Sequence, residues 1–183
     1  MLKIPYFSQL DNKITKNSRK QSCGICCVKM TLDFLNPDNN YRVENLIKEA
    51  TLIKAFDEEK LLWTHEGLVR ILRNHGVLAY QQEFKAVIVD LLAETFNINE
   101  NQQDFTKRGV DKIKEKIDSG KPVIVSVTAG FNRNKDDHMI IINGYEDSPE
   151  DSFYITDPQD EKFQVVTVGK FLEHWKKLAI FID

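Results

Sequence analysis

The sequence changes character at Gly120, and this change is the strongest constraint on the fold. Before it, apolar residues recur at helical spacing in three stretches, Tyr41–Lys54, Thr64–His75 and Thr106–Ser119. After it come four short runs rich in β-branched and aromatic residues, Pro122–Ala129, His138–Tyr145, Ser152–Thr156 and Phe163–Val168. Helices followed by strands predict an α+β fold with an antiparallel sheet, because a parallel sheet would need the two to alternate.

The remaining segments and the length are typical of a single domain. We predict a strand over Val77–Phe84, a polar loop over Asn97–Asp104, a helix over Val168–Lys176 and a closing strand over Leu178–Ile182, whereas Ala86–Phe96 is compatible with helix or strand. The chain has 183 residues, enough for one core. We therefore expect one domain over residues 1–183, with a helical half over about 1–120 and a sheet half over about 121–183.

The stretch Ser22–Leu35 predicts a helix with a cysteine at its start. Cys23 lies at its N-terminal end, where unpaired backbone N–H groups and the helix dipole favour the reactive thiolate. Gly24 follows it and lets the backbone approach a substrate closely. Cys23 is therefore a candidate nucleophile, with a buried structural cysteine as the alternative. The other apolar side chains are predicted to form a buried helix face: Ile25, Cys26, Cys27, Met30 and Phe34.

A cysteine nucleophile needs a proton acceptor and an orienting group. His138 opens an apolar strand, which places its imidazole at a sheet edge beside a loop; the alternative is a histidine that merely ends that loop. Asp157 ends the next strand, where its carboxylate would accept the Nδ1–H of His138; the alternative is an Asp-Pro turn. The other histidines fall in predicted helices and are interpreted as surface or capping residues: His65, His75 and His174.

Acyl transfer also needs hydrogen-bond donors for the developing oxyanion. The backbone N–H of Cys23 and a side-chain amide would supply two. Gln9 ends the extended segment Lys3–Gln9, and Gln21 lies nearer to Cys23 in sequence, so both remain candidates. In the alternative interpretation both glutamines are surface residues.

These motifs together resemble the papain-like cysteine peptidases, and within them the bacteriocin-leader-processing peptidase group and its broader relatives. The resemblance follows the family order through nearly the whole chain: Ile4–Gln9, Cys23–Gly24 with Cys27 and Met30, Gly120–Val125, His138–Tyr145 and Tyr154–Pro158.

The resemblance implies a role for each candidate residue. Cys23 is the nucleophile, His138 the general base and acid, Asp157 the orienting residue and Gln9 the oxyanion-hole side chain. The implied protein is a bacterial thiol hydrolase of papain-like fold that cleaves a peptide or amide bond in a peptide or protein substrate, through an acyl-enzyme and without a cofactor. Acyl transfer of the transglutaminase or transpeptidase kind, and deamidation, need the same residues.

Two departures from the family pattern bear on this comparison. Ile25 stands where a proline often follows the Cys-Gly pair, and the loop Leu10–Ser22 is longer than in compact members. The region Asp38–Gln103 carries no assignable motif. The bacteriocin-processing enzymes are usually joined to membrane transporter domains, and no such segment is visible, so we do not infer their substrate.

Three other functions compete with hydrolysis. A catalytically silent papain-like binding or host-interaction module would carry the same motifs. Cys23 and Cys26 form a C-x-x-C pair, which suggests a redox protein, although a polar loop and not a strand precedes it. Metal binding by the same two cysteines and a histidine lacks a second half-site.

Composition limits the partners and the compartment. A net charge of −3 gives no indication of nucleic acid binding. Three cysteines within Cys23–Cys27 do not form a disulfide framework, and neither a signal peptide nor a membrane span is apparent. We therefore expect a cytoplasmic protein, with secretion by a route without a cleavable leader as the alternative. The oligomeric state is left open.

Overall fold

A central antiparallel sheet organises the protein, as seen in a computed structural model that describes residues 1–14, 22–57, 62–85, 98–131, 136–159 and 163–183. The helices are α1 (Cys23–Leu35), α2 (Val43–Leu52), α3 (His65–Asn74), α4 (Ile98–Asp118) and α5 (Val168–His174). The strands are β1 (Phe56–Asp57), β2 (Leu62–Trp63), β3 (Ala79–Glu83), β4 (Val123–Thr128), β5 (Asp137–Glu146), β6 (Ser152–Thr156), β7 (Gln164–Thr167) and β8 (Trp175–Ile182). Six of them form one sheet in the order β3-β8-β4-β5-β6-β7, with every neighbour antiparallel. The predicted α+β fold is confirmed.

The middle of the sheet is buried on both faces, which explains its continuous apolar runs. On β4, Ile124 packs with the cluster that contains α1, α2 and α3. Its neighbours Val123 and Val125 belong to a second cluster with Ile113 of α4 and Phe171 of α5. Because successive side chains of a strand point to opposite faces, one apolar run serves both cores.

Local sequence sets both ends of α3. The Oγ1 of Thr64 accepts the backbone N–H of Gly67 at 3.1 Å, as a helix N-cap does. Gly76 follows the helix with φ of 79°, in the left-handed region that glycine adopts readily. The predicted helix Thr64–His75 is therefore confirmed to within one residue at each end.

Helix α4 starts earlier than we predicted. It begins at Ile98, so the polar loop expected over Asn97–Asp104 is wrong from residue 98 onward. Polar residues are typical of a loop, but glutamine and glutamate are also good helix formers. Ile113 and Ile117 are buried further along and hold the helix on the sheet. The undecided segment Ala86–Phe96 lies outside the described residues.

Two pairings among strands were not foreseen. Strand β3, from the first half of the chain, pairs with the closing strand β8, with Ala79 opposite Ile182. The two-residue strands β1 and β2 pair with each other and are too short to show any periodicity.

The N-terminal segment is fixed beside β5 and β6. The N–H of Leu2 donates to the carbonyl of Asn143 at 2.6 Å, and the Asn143 side chain donates back to the Leu2 carbonyl at 3.0 Å. Further along, the N–H of Gln9 donates to the carbonyl of Pro158 at 2.8 Å. These bonds bring Gln9 to the residue that follows Asp157.

None of the described helices is both long and apolar enough to cross a membrane.

Candidate active site

Cys23 is the first residue of α1 and is partly exposed. The first hydrogen bond within the helix runs from the N–H of Cys26 to the carbonyl of Ser22, at 2.9 Å. The backbone N–H groups of Cys23 and Gly24 therefore have no acceptor inside the helix, and the positive end of its dipole lies at the thiol. This is the position that the sequence predicts for the nucleophile.

The other two cysteines are fully buried packing residues, as predicted. Cys26 and Cys27 are both 0% exposed. Burial raises the pKa of both thiols well above the ordinary value, and the charge of Cys23 raises them further. The Sγ of Cys27 donates to the carbonyl of Met139 at 3.4 Å, which holds α1 against β5.

Gly24 serves packing within the protein. A Cβ at this position would lie 2.9 Å from Cδ1 of Leu68 and 3.0 Å from Sδ of Met139. The residue itself is buried. The close approach that we expected toward a substrate is therefore an approach to α3 and β5, because α1 is inserted between them.

His138 and Asp157 form a buried hydrogen-bonded pair. Nε2 of His138 lies 2.7 Å from Oδ1 of Asp157. The two residues are 4% and 2% exposed. His138 is the second residue of β5, and Asp157 directly follows β6, so adjacent strands of the sheet carry them.

The ring nitrogen that bonds to Asp157 is Nε2, and the expected Nδ1 contact is wrong. The contact between Cys27 and Met139 brings α1 close to the backbone of β5 beside His138. Nδ1 is the ring nitrogen nearer to that backbone, on the side of the ring away from Asp157. Nε2 is farther from the backbone and reaches across to Asp157.

Gln159 is a contributor that the sequence analysis missed. Its backbone N–H donates to Oδ1 of Asp157 at 2.7 Å, so the same oxygen that meets His138 is held from a second side. The Asp-Pro-Gln sequence is the signal for this contact, since an aspartate often bonds the backbone N–H two residues on.

The environment of His138 favours its charged form. Burial alone would lower the pKa of the imidazole, but hydrogen bonds with Asp157 and Cys23 and their negative charges outweigh it and raise the pKa to about 10. An imidazole with this pKa carries a positive charge at neutral pH.

Gln9 is buried in this region, and Gln21 lies outside the described residues. Gln9 is 3% exposed, and within the described part of the chain its Oε1 has no hydrogen-bond partner. A buried polar atom without a partner is uncommon in folded proteins. Gln21 belongs to residues 15–21, so its candidacy stays a prediction.

The other three histidines have partners elsewhere. His75 is the C-cap residue of α3, in agreement with a capping position, and its Nε2 lies 2.8 Å from Oε2 of Glu49 in α2. His65 bonds Ser126 at 2.7 Å, and burial lowers its pKa to about 4. His174 bonds Thr128 at 2.6 Å and is buried, so a surface position for it is wrong. It is buried because α5 packs onto the sheet.

A central helix that begins with a cysteine, packed on an antiparallel sheet that carries a buried histidine–aspartate pair, is typical of papain-like cysteine peptidases. Comparison with known families makes the assignment narrower. The chain belongs to the Peptidase_C39 like family, whose model matches residues 1–179. The resemblance drawn from the sequence motifs is thereby confirmed, and the protein is a cysteine peptidase.

Two solved structures share the fold. One is a double glycine motif protease from an AMS/PCAT transporter in complex with the leader peptide, with TM-score 0.59 and 14% identity over 98% of this chain and 91% of that chain. The other is the peptidase domain of Streptococcus ComA, a bi-functional ABC transporter involved in a quorum sensing pathway, with TM-score 0.59 and 18% identity over 98% of each chain. No curated protein matches the sequence.

Proposed function

We propose that this protein cleaves peptide bonds through an acyl-enzyme on Cys23, with His138 as general base and acid and Asp157 as the residue that orients it. The observation that carries the proposal is the buried pair of His138 and Asp157, joined through Nε2 at 2.7 Å, with the charge of Cys23 acting on the same imidazole. Hydrolysis through an acyl-enzyme requires at least a nucleophile, a base that can reach it and a group that orients the base.

Each step has a group in place. Cys23 attacks the substrate carbonyl as a thiolate, and its backbone N–H and the Gln9 amide stabilise the oxyanion. His138 then donates its Nδ1 proton to the leaving amine. A water molecule gives a proton to the same nitrogen and hydrolyses the thioester. Throughout, Asp157 keeps the ring oriented and balances its charge.

Gln9 is supported by its surroundings. Its backbone is anchored to Pro158 at 2.8 Å, so it is tied to the turn that holds Asp157. Its buried Oε1 has no partner in the described residues, so this oxygen is not engaged in holding the fold together. The oxyanion would be bound by the amide N–H of Gln9, which is a separate group from this acceptor oxygen.

A peptide is the substrate class that the comparisons favour. A protein of the same fold is described in complex with a leader peptide. We propose that the present protein also binds a peptide segment, and that it acts in the cytoplasm, where its three free cysteines stay reduced.

The test combines thiol labelling with product analysis. Iodoacetamide should label Cys23 of the native protein faster than a free cysteine near neutral pH, and His138→Gln should remove the excess rate. Cys27→Ser is the control, because that thiol is buried and lies outside the proposed steps. A peptide mixture should then give cleavage products with wild type and none with Cys23→Ala.

Adding an amine acceptor separates hydrolysis from acyl transfer, since transfer would join the amine to the acyl fragment. A Cys23 that reacts no faster than free cysteine, with no dependence on His138, would show that the proposed pair is wrong.

A further inference from the structure

One peptide group contacts both halves of the proposed site. The carbonyl of Pro158 accepts the backbone N–H of Gln9 at 2.8 Å. The next N–H along the chain, that of Gln159, donates to Oδ1 of Asp157 at 2.7 Å. This carbonyl and this N–H belong to the same planar trans peptide unit, in which they point in opposite directions. One rigid plane therefore lies between the Gln9 segment and the Asp157 carboxylate.

We propose that Gln159 is a positioning residue, whose peptide bond with Pro158 fixes the Gln9 segment and the Asp157 carboxylate relative to each other. The inference rests on the proposed function for the roles of Gln9 and Asp157. It goes beyond that function because it makes two separate groups of the site depend on one backbone element. A rotation of this peptide plane breaks both hydrogen bonds together.

The chain turns tightly at the Gln9 end of this link. The backbone N–H of Leu10 donates to Oγ of Ser8 at 3.1 Å, and that of Asp11 donates to the Ser8 carbonyl at 3.1 Å. The Ser8 hydroxyl also donates to the Pro158 carbonyl, in a longer contact of 3.4 Å. The first two bonds hold the turn together internally. The Pro158 carbonyl, which meets the turn twice, therefore positions it as a unit.

The local sequence keeps the peptide plane in one orientation. Pro158 is buried, and its ring fixes its φ at about −65°. The φ of Gln159 lies outside the left-handed region. Turning the plane over would change that φ by about 180° and bring it into the left-handed region, as in the change from a type I to a type II turn. Residues other than glycine disfavour this region, so glutamine at position 159 opposes the turned-over state.

Hydrogen exchange measured by NMR on the full chain tests the link without any substrate. Asp157→Ala removes the acceptor of the Gln159 N–H, and the peptide plane is then held at one end only. We expect the backbone N–H of Gln9 to exchange about 2- to 10-fold faster than in the wild type, although its own acceptor is unchanged.

The N–H of Leu2 is the internal control for this measurement. It lies in the same N-terminal segment but donates to the carbonyl of Asn143, at 2.6 Å, so its exchange rate should not change. An unchanged rate at Gln9 would overturn the link. Equal acceleration at Leu2 and Gln9 would overturn it as well, because it would show that the whole segment has loosened.

Two variants at position 159 test the link without removing a charge. Gln159→Gly makes the left-handed φ accessible, and Gln159→Ala is its reference because alanine disfavours that region. Relative to the alanine variant, the glycine variant should lower kcat by about two- to fivefold with little change in KM, since the oxyanion forms only after the substrate has bound. This difference should shrink in a Gln9→Ala background. The same pair replaces Asp157→Ala in the exchange measurement if that variant does not fold.

The kinetic outcomes separate this inference from the proposed function. If Gln9→Ala is slow but glycine and alanine at position 159 give the same kcat, the positioning role alone fails. A glycine–alanine difference of equal size with and without Gln9 would also overturn it, because Gln159 would then not act through Gln9. If the wild type cleaves no peptide, the proposed hydrolysis fails, and the exchange rate at Gln9 still decides whether the plane joins the two segments.

Discussion

Oδ1 of Asp157 accepts two hydrogen bonds at 2.7 Å, one from Nε2 of His138 and one from the backbone N–H of Gln159. The carboxylate is thus fixed by its own turn while it holds the imidazole of the neighbouring strand. Because both residues are buried, little solvent screening weakens their attraction. The charge and the orientation supplied by Asp157 can be tested separately.

Replacing Asp157 separates those two contributions. Asp157→Ala removes both, and we expect kcat/KM to fall by about 10²- to 10⁴-fold. Asp157→Asn keeps an acceptor oxygen but removes the charge that raises the pKa of His138. The fall in kcat/KM should therefore be smaller than in Asp157→Ala. The high-pH limb of the Asp157→Asn kcat/KM profile should move to lower pH. An unchanged profile in Asp157→Asn would contradict the electrostatic role.

Stability should depend on pH through His138. Its pKa in the folded protein is about 10, above the value of about 6.5 for an unfolded chain, so the folded state binds more protons between these limits. The contribution to the free energy of unfolding is complete below the unfolded value and is lost as pH rises toward the folded one.

Urea unfolding at several pH values measures this directly. The difference between wild type and His138→Gln should shrink steadily as pH rises through that window. A difference that stays constant with pH would mean that His138 is not held in its charged form.

Gln9 and Gln21 can be distinguished by parallel substitution. Gln9→Ala should lower kcat by about 10²- to 10³-fold, as expected for the loss of one oxyanion donor. The fold should survive, because the anchor to Pro158 uses the Gln9 backbone and not its side chain. Gln21→Ala is the matched control and should leave kcat unchanged. The reverse pattern would assign the donor to Gln21.

Gly24 should be intolerant of a side chain. Gly24→Ala places a Cβ 2.9 Å from Leu68 and 3.0 Å from Met139, so one of them must shift. We expect a loss of about 1–3 kcal/mol in the free energy of unfolding, as for other overpacked sites. Activity should fall as well, because the preceding residue is Cys23.

Gly169→Ala is the control for that substitution. Gly169 lies in α5 with no atom within 4 Å of an added Cβ. Alanine should therefore stabilise the protein by about 0.5–1 kcal/mol through its higher helix propensity. Chemical denaturation measures the free energy of unfolding of both variants. Equal changes in the two would show that a Cβ fits at Gly24 without displacing its neighbours.

The sequence by itself determined the local elements and the candidate chemistry. Helical spacing placed α1 with Cys23 at its start, and β-branched runs placed β5 and β6 with His138 and Asp157 at their ends. These signals are readable because they are periodic over a few residues, and each residue's type already limits its chemistry. Polar helical turns, such as the start of α4, lack a periodic pattern of apolar and polar residues.

Only the tertiary structure decided which groups meet. In the folded protein, Nε2 of His138 contacts Asp157 and the backbone of Gln9 donates to Pro158. Gly24 packs between α3 and β5. Each depends on contacts between segments distant along the chain. No local periodicity encodes them, because they follow from how two cores close on the two faces of one sheet.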